Sequence, residues 1–319
     1  MGVGSVVALV IVLMLIGGVC LLAGHTYRHP LRVFSLLNRR RLARAGLVRR
    51  SIPSPAGDLV YWIGGKGQAL VLLHGAGDEA GTFAGVVERL LTRFRVVVPD
   101  LAGHGMSGPA EGPLPVGTML AGLTAVMERE VRDPAILAGN SLGAWLAALY
   151  ARANPARVAR LVLVNGGPIV GDRPDLDMMP TSRAEAAVLM TQLRDPRSAP
   201  IAGFVLDDIV RAAGTGPIAR VAQAAPLMAP YLLDGKLHEF TVPADLIWGE
   251  SDKLLSLAYA RKLMAGLPAS RLTTIPSCGH VPHQECPSMF VSALLDVLQA
   301  PPPARSQTAG PAGSVTGGQ

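Results

Sequence analysis

The chain begins with a long apolar run and then alternates short apolar stretches with longer amphipathic ones. Residues 2–24 carry no charged side chain, and at roughly 1.5 Å per residue a helix of this length would span a bilayer. Further along, continuous apolar runs predict buried strands, and the segments between them have the period of helices. Strands are predicted at residues 58–63, 69–73, 95–98, 135–138, 160–164, 244–248 and 271–275, and helices at residues 83–91, 116–131, 142–153, 257–267 and 287–298.

Strands that are apolar throughout and alternate with helices predict an α/β fold, in which a mostly parallel central sheet has helices on both faces. The alternation stops after residue 167, and residues 168–239 contain amphipathic pieces, such as residues 184–193 and 203–213, but no clear strand. We therefore predict an α/β core formed by residues 51–167 and 240–300, with a helical cap at residues 168–239. The methionines of the cap are candidates either for a flexible apolar pocket or for the cap's own core; they are Met178, Met179, Met190 and Met228.

The last segment, residues 301–319, is rich in Pro, Gly, Ser, Thr and Ala. Such a composition buries too little apolar surface to offset the entropy of ordering the chain, so we predict a disordered tail.

The net charge of +6 is local rather than spread over the chain. No acidic residue precedes Asp58, and without the eight arginines of residues 28–50 the remaining chain carries −2. A nucleic-acid-binding domain would show a basic face with aromatic platforms, so we expect no nucleic-acid partner. The eight are Arg28, Arg32, Arg39, Arg40, Arg41, Arg44, Arg49 and Arg50.

The apolar run followed by arginines predicts a single-pass membrane anchor at residues 1–24 and a basic juxtamembrane segment at residues 25–50. A cleaved signal peptide is the alternative, but no Lys or Arg precedes the run, which is longer than the usual apolar region of such a peptide. The arginines predict that the following domain lies on the cytoplasmic side, where they could also bind anionic headgroups. The three cysteines, Cys20, Cys278 and Cys286, do not suggest a disulfide framework and agree with a reducing compartment.

The candidate nucleophile is Ser141, within Gly139-Asn140-Ser141-Leu142-Gly143. The predicted strand before it and the apolar helix after it are the context of a nucleophile elbow, a sharp turn that exposes one hydroxyl at a helix N-terminus. Close helix–strand packing through small residues is the structural alternative.

A serine hydroxyl needs a neighbouring base, and the base needs a carboxylate that fixes its tautomer. Asp252 follows the strand at residues 244–248, and His280 follows the strand at residues 271–275. Both are therefore expected at the same edge of the parallel sheet as Ser141. Glu250 is the alternative acid and His283 the alternative base, while Cys278 is a weaker candidate nucleophile.

An oxyanion that develops during acyl transfer needs two preorganised donors. We predict the backbone N–H of Leu142, at the start of the helix, and that of Ala76, in the glycine-rich loop after residue 73. His74 and His104 also lie beside glycines in loops near the site, and we expect them to shape these loops through hydrogen bonds.

Together these motifs resemble the α/β-hydrolase fold-1 family over roughly residues 57–299. The segments that carry the resemblance are His74-Gly75-Ala76-Gly77, residues 100–107, the elbow, Trp248-Gly249-Glu250-Ser251-Asp252 and Gly279-His280. The resemblance implies an α/β-hydrolase fold and a serine hydrolase that uses Ser141, His280 and Asp252, without a metal or an organic cofactor.

The expected activity is hydrolysis of carboxylic esters. Asn140 before the serine is similar to the carbon–carbon bond hydrolases of aromatic ring breakdown, although Val281 stands where these usually have tryptophan. The N-terminal anchor resembles that of membrane-bound monoacylglycerol lipases, which favours a hydrophobic or lipid-like ester. Carbon–carbon or amide hydrolysis on the same residues, and a non-enzymatic binding module, are the alternatives.

Overall fold

The computed structural model describes residues 3–171 and 176–305. Within them a single eight-stranded sheet has the order β1-β2-β4-β3-β5-β6-β7-β8. β1 and β2 pair antiparallel with each other and β2 pairs antiparallel with β4, whereas β3 to β8 are parallel, which confirms the predicted mostly parallel sheet. The strands are β1 Val48–Ile52, β2 Leu59–Gly64, β3 Ala69–Leu73, β4 Arg95–Pro99, β5 Ala135–Asn140, β6 Val158–Val164, β7 Ala244–Gly249 and β8 Ser270–Ile275.

Helices cover both faces of the sheet, as predicted, because successive side chains of each strand point to opposite faces. In β3, Val71 and Leu73 pack with α4, α5 and α9, while Leu70 and Leu72 pack with α2, α3 and α11. The described helices are α1 Val3–Arg28, α2 Pro30–Arg44, α3 Val87–Leu91, α4 Val116–Glu130, α5 Leu142–Ala153, α6 Arg183–Leu193, α7 Gly203–Ala213, α8 Pro217–Gln223, α9 Leu257–Gly266, α10 Pro282–Glu285 and α11 Pro287–Gln299.

The segment between β6 and β7 contains α6, α7, α8 and three short 3₁₀ turns, and no strand is found among its described residues. The amphipathic pieces predicted at residues 184–193 and 203–213 are α6 and α7. Ser182 caps α6 by accepting a hydrogen bond from the backbone N–H of Glu185, which explains where that helix begins.

The N-terminal apolar run is helical and is the one span in the described part of the chain that is long and apolar enough to cross a membrane. It covers Ile11–Arg28, with a mean hydropathy of 1.5, and none of it is buried against the rest of the protein. Its length and composition fit a membrane anchor or a signal sequence.

The basic segment differs from a solvated linker. α2 packs against the domain through Asn38 and Leu42, which are both buried, and Arg39 forms an ion pair with Glu79. β1 also begins at Val48, three residues before the predicted start of the core. The sequence did not suggest this edge strand because four of its five side chains are exposed and show no apolar alternation.

The predicted disordered tail falls mostly on residues 306–319, which lie outside the described residues.

The structure contains a disulfide that the sequence analysis did not suggest. Cys278 and Cys286 form a disulfide with 6.1 Å between their Cα atoms, and among the described cysteines only Cys20 is free. Sequence spacing did not reveal the pair because the turn of α10 between them brings the two backbones together.

Candidate active site

Ser141 occupies the sharp turn between β5 and α5. Its backbone has φ 53° and ψ −118°, a conformation rarely adopted by a residue with a side chain. Gly139 and Gly143 make the turn possible: a Cβ at Gly139 would collide with the backbone of Gly143, and a Cβ at Gly143 would collide with that of Leu73. The local structure is therefore the predicted elbow.

Asp252 and His280 are in direct contact at the same sheet edge. His280 Nδ1 lies 2.8 Å from Asp252 Oδ2, and both side chains are buried. Because a carboxylate is an acceptor, Nδ1 carries the proton, and Nε2 is left with a free lone pair that can accept one.

Asn165 is a site residue that sequence reasoning missed. Its Nδ2 donates to Asp252 Oδ2 at 2.7 Å, while the N–H groups of Leu254 and Leu255 donate to Oδ1 at 2.9 and 3.0 Å. The carboxylate therefore has a partner for each oxygen besides the histidine and is held in one orientation. The only signal in the sequence was the position of Asn165, directly after β6 and before two glycines.

The backbone of His280 is also fixed. Its N–H donates to the carbonyl of Leu193 at 2.7 Å, and its carbonyl accepts from Asn140 Nδ2 at 2.9 Å. Asn140 thus connects the elbow to the histidine loop, a structural role that the sequence motif did not reveal.

Two carboxylates, the buried Asp195 and the partly buried Glu285, join the end of α6 to the loops of Asp252 and His280. Glu285 accepts from the N–H of Gly279 at 2.6 Å through Oε2 and from the N–H of Asp195 at 2.9 Å through Oε1. Asp195 in turn accepts from the hydroxyl of Ser251, next to Asp252. Neither acid was predicted, because they come close only after the cap has packed on the core.

Of the two predicted oxyanion donors, Ala76 lies in the glycine-rich loop after β3, and Leu142 directly follows Ser141 in the elbow. Ala76 lines the same cavity as Ser141, and Leu142 is the first residue of α5, where backbone N–H groups lack intrahelical partners. Neither N–H donates to another group among the residues that the structure describes. Both are thus free to bind a ligand oxygen.

A cavity of about 930 Å³ connects the candidate site to the cap. It has a mostly apolar lining, and of the four cap methionines Met178 and Met190 contribute to it. Met228 instead packs against the main hydrophobic core of the α/β domain. Apart from Asp252 and Leu142, the predicted site residues reach this cavity: Ser141, His280 and Ala76.

The alternative acid, base and nucleophile each have other partners in the structure. Glu250 accepts a hydrogen bond from Thr274 at 2.8 Å, and Cys278 is in the disulfide. His283 Nε2 lies 2.9 Å from Thr82 Oγ1, its ring stacks on Phe83, and burial lowers its pKa to about 3. His283 therefore packs at the start of the last helical segment and does not face the serine cavity.

His74 and His104 shape the neighbouring loops, as predicted. His74 Nδ1 donates to the carbonyl of Gly75 at 2.8 Å and its Nε2 accepts from the N–H of Leu101 at 2.9 Å. Burial lowers the pKa of His74 to about 4 and that of His104 to about 3, so both rings are neutral at physiological pH.

Within the described ranges, no group of three or more His, Cys, Asp or Glu side chains is arranged to hold a metal ion.

A strained serine at a strand–helix turn, a buried His–Asp pair at the same sheet edge and a glycine-rich loop beside them define the class of the α/β hydrolases. Comparison with known proteins agrees with this. Residues 70–293 match the model of the Alpha/beta hydrolase family, and the chain belongs to that family.

The pimeloyl-acyl-carrier protein methyl ester esterase of Aromatoleum aromaticum is 33% identical over 251 residues, which cover 72% of this chain and 98% of the esterase. A 2-hydroxy-6-oxononadienedioate/2-hydroxy-6-oxononatrienedioate hydrolase of Cupriavidus pinatubonensis is 29% identical over 74% of this chain and 88% of its own. A solved structure described as a membrane phospholipase A has a TM-score of 0.71 at 24% identity and covers 91% of this chain and 97% of its own. The predicted enzyme class, a hydrolase of the esterase and lipase type, is confirmed.

Proposed function

We propose that this protein is a membrane-anchored serine hydrolase that cleaves carboxylic esters with hydrophobic or lipid-like groups. The observation that carries the proposal is the His280–Asp252 contact of 2.8 Å at the sheet edge where the strained Ser141 lines the apolar cavity. The ester chemistry is also supported by the relative of 33% identity, which is a methyl ester esterase.

In the proposed reaction, Ser141 Oγ attacks the ester carbonyl while His280 Nε2 takes its proton. Asp252 stabilises the imidazolium that forms, and the N–H groups of Ala76 and Leu142 bind the oxyanion. His280 then protonates the leaving alcohol. A water molecule, deprotonated by the same ring, attacks the acyl-enzyme and releases the acid, which restores the serine.

The first prediction concerns Ser141→Ala. We expect hydrolysis of a p-nitrophenyl ester to fall by about 10⁴-fold or more, because no other group can form the acyl-enzyme. The matched control is Ser288→Ala, an exposed serine on α11. Labelling with a fluorophosphonate should be lost in the Ser141 variant and kept in the control. Wild-type turnover in Ser141→Ala, with the native circular dichroism spectrum, would remove the serine from the mechanism.

Carbon–carbon bond hydrolysis is the second candidate, and it is favoured by the relative that is a hydroxy-oxo-dioate hydrolase. Asn140 is the residue that carries that resemblance. In the structure its side-chain Nδ2 donates hydrogen bonds to the backbone carbonyls of Val164 and His280. Comparing turnover of an ester series with turnover of a 2-hydroxy-6-oxo-dienoate on the same preparation distinguishes the two reactions.

We propose that α1 is the membrane anchor and that the arginines after it contact lipid headgroups. The arginine bias favours a cytoplasmic catalytic domain, whereas the Cys278–Cys286 disulfide favours an oxidising compartment. Protease protection of a tag placed after residue 319, measured in intact spheroplasts and after lysis, decides the orientation. Cleavage only after lysis supports the cytoplasmic side, and cleavage in intact spheroplasts contradicts it.

A further inference from the structure

One wall of the active-site cavity is formed by an element from outside the family-matched residues 70–293. This element is α2, which begins two residues after the end of α1. The cavity that contains Ser141 and His280 is therefore bounded by the core, by the cap and by the segment adjoining the apolar helix. The residues of α2 that line it are Leu31, Arg32, Phe34 and Ser35.

The start of α2 is held against the cap by hydrogen bonds to α7. Asp208 on α7 accepts a hydrogen bond from the backbone N–H of Leu31 at 3.0 Å, which satisfies one of the unpaired donors at this helix N-terminus. Arg211 donates to Asp208 at 3.1 Å and also to the carbonyl of Arg28. The junction between α1 and α2 is thus fixed against the cap helix whose Ile209 lines the same cavity.

Apolar side chains of the cap and of α2 line this cavity together. Leu189 and Leu193 of α6 and Ile209 of α7 contribute to the lining, together with Leu31. A volume of about 930 Å³ is at the upper end of the range for small-molecule sites. The volume and the mostly apolar lining fit a long hydrocarbon chain better than a short or strongly polar substrate.

The cavity reaches the protein surface beside α1. Phe34 lines the cavity and is also 50% exposed, and Arg32, which lines the cavity as well, is exposed. Tyr27 at the end of α1 and Leu36 on α2 are further exposed apolar side chains of this segment. Aromatic and aliphatic groups interspersed with arginines are typical of surfaces that lie at a lipid headgroup region.

We propose that α2 is a substrate-binding element: Leu31 and Phe34 bind the hydrocarbon chain of a long-chain lipid ester, which enters the cavity from the bilayer. This inference rests on the proposed ester hydrolysis at Ser141 and specifies its substrate class. The anchor segment then has two roles, because it holds the enzyme at the membrane and completes the site.

The test uses the full-length protein in phosphatidylcholine vesicles, with p-nitrophenyl palmitate and p-nitrophenyl butyrate as substrates. For Leu31→Ala and for Phe34→Ala, the ratio of kcat/KM for palmitate to that for butyrate should fall by about tenfold, since one partly buried apolar contact with the long chain is lost. Leu37→Ala is the matched control: it lies on the same helix, is exposed, and is not among the cavity-lining residues, so the ratio should stay at the wild-type value.

The inference is overturned if the ratio in both variants equals that of Leu37→Ala, or if both substrates lose activity equally, which would indicate a structural role for α2. Phe34 is half exposed, so its truncation keeps the test valid even if Leu31→Ala fails to fold. Failure of the proposed function looks different, because the unmodified enzyme would then hydrolyse neither ester.

Discussion

At the scale of single residues, the position of His280 depends on a side chain that takes no part in the proposed chemistry. Glu285 binds the N–H of Gly279, directly before the histidine, and also the N–H of Asp195 at the end of the cap helix. It further accepts from the hydroxyl of Ser198. The two backbone N–H groups can only donate, so Glu285 must present an acceptor oxygen to each of them.

Glu285→Gln tests this positioning role. The amide nitrogen would face a donor, so we expect kcat to fall by about tenfold with KM nearly unchanged, as one buried hydrogen bond near the site is worth about 1–2 kcal/mol. Steady-state kinetics across pH 5 to 9 measures both constants and the titration of the general base. Glu88→Gln, on the exposed face of α3, is the control. An unchanged kcat and pH profile in Glu285→Gln would show that the loop does not depend on this contact.

At the scale of secondary-structure elements, the last three strands are joined by a buried ionic cluster. Asp245 on β7 is fully buried and lies 2.6 Å from Arg160 on β6 and 2.6 Å from Arg271 on β8. Since the loops after β6, β7 and β8 carry Asn165, Asp252 and His280, the cluster holds the strands that position the site.

Asp245→Ala should lower the free energy of unfolding by about 3–5 kcal/mol, because it leaves the Arg160 guanidinium buried without its partner. Urea unfolding followed by fluorescence measures this. The control is Asp207→Ala, which removes the exposed ion pair with Arg183 and should change stability little. Similar stabilities for the two variants would mean that the buried cluster contributes no more than a surface pair.

At the scale of the whole molecule, buried histidines make stability depend on pH. Burial lowers the pKa of His74 to about 4 and the pKa values of His104 and His283 to about 3, all below the ordinary 6.5. Below pH 6.5 the unfolded chain therefore binds protons that the folded protein does not, and stability falls as the pH falls. Asp78, Glu79 and Asp100 act in the opposite direction, because burial raises their pKa values, that of Asp78 to about 6. The contribution of Asp78 between pH 6 and pH 7.5 is smaller than that of the three histidines.

We therefore expect the free energy of unfolding to decrease by about 2 kcal/mol between pH 7.5 and pH 6. Urea titrations at these two pH values measure the change. His283→Gln should remove about a third of it, since one of the three buried rings is gone, and the exposed His238→Gln should remove none. If the free energy of unfolding is the same at both pH values, the three rings bind protons equally in the folded and the unfolded protein, which contradicts the lowered pKa values.

Local signals in the sequence determined the alternation of strands and helices, the elbow, and the three candidate side chains Ser141, Asp252 and His280. Apolar runs, glycines at a turn and the position of a residue after a strand all act within a few neighbouring residues. They can therefore be recognised before any tertiary contact is known.

Tertiary structure alone decided which distant groups meet. Asn165 bonds to Asp252 across 87 residues, and Asp208 caps α2 across 177. The Cys278–Cys286 disulfide, the carboxylates that join cap to core and the docking of α2 against the cavity likewise left no pattern in the sequence. The physical reason is that each depends on how whole elements pack, and a polar residue has the same local signature whether its partner is a distant backbone N–H or water.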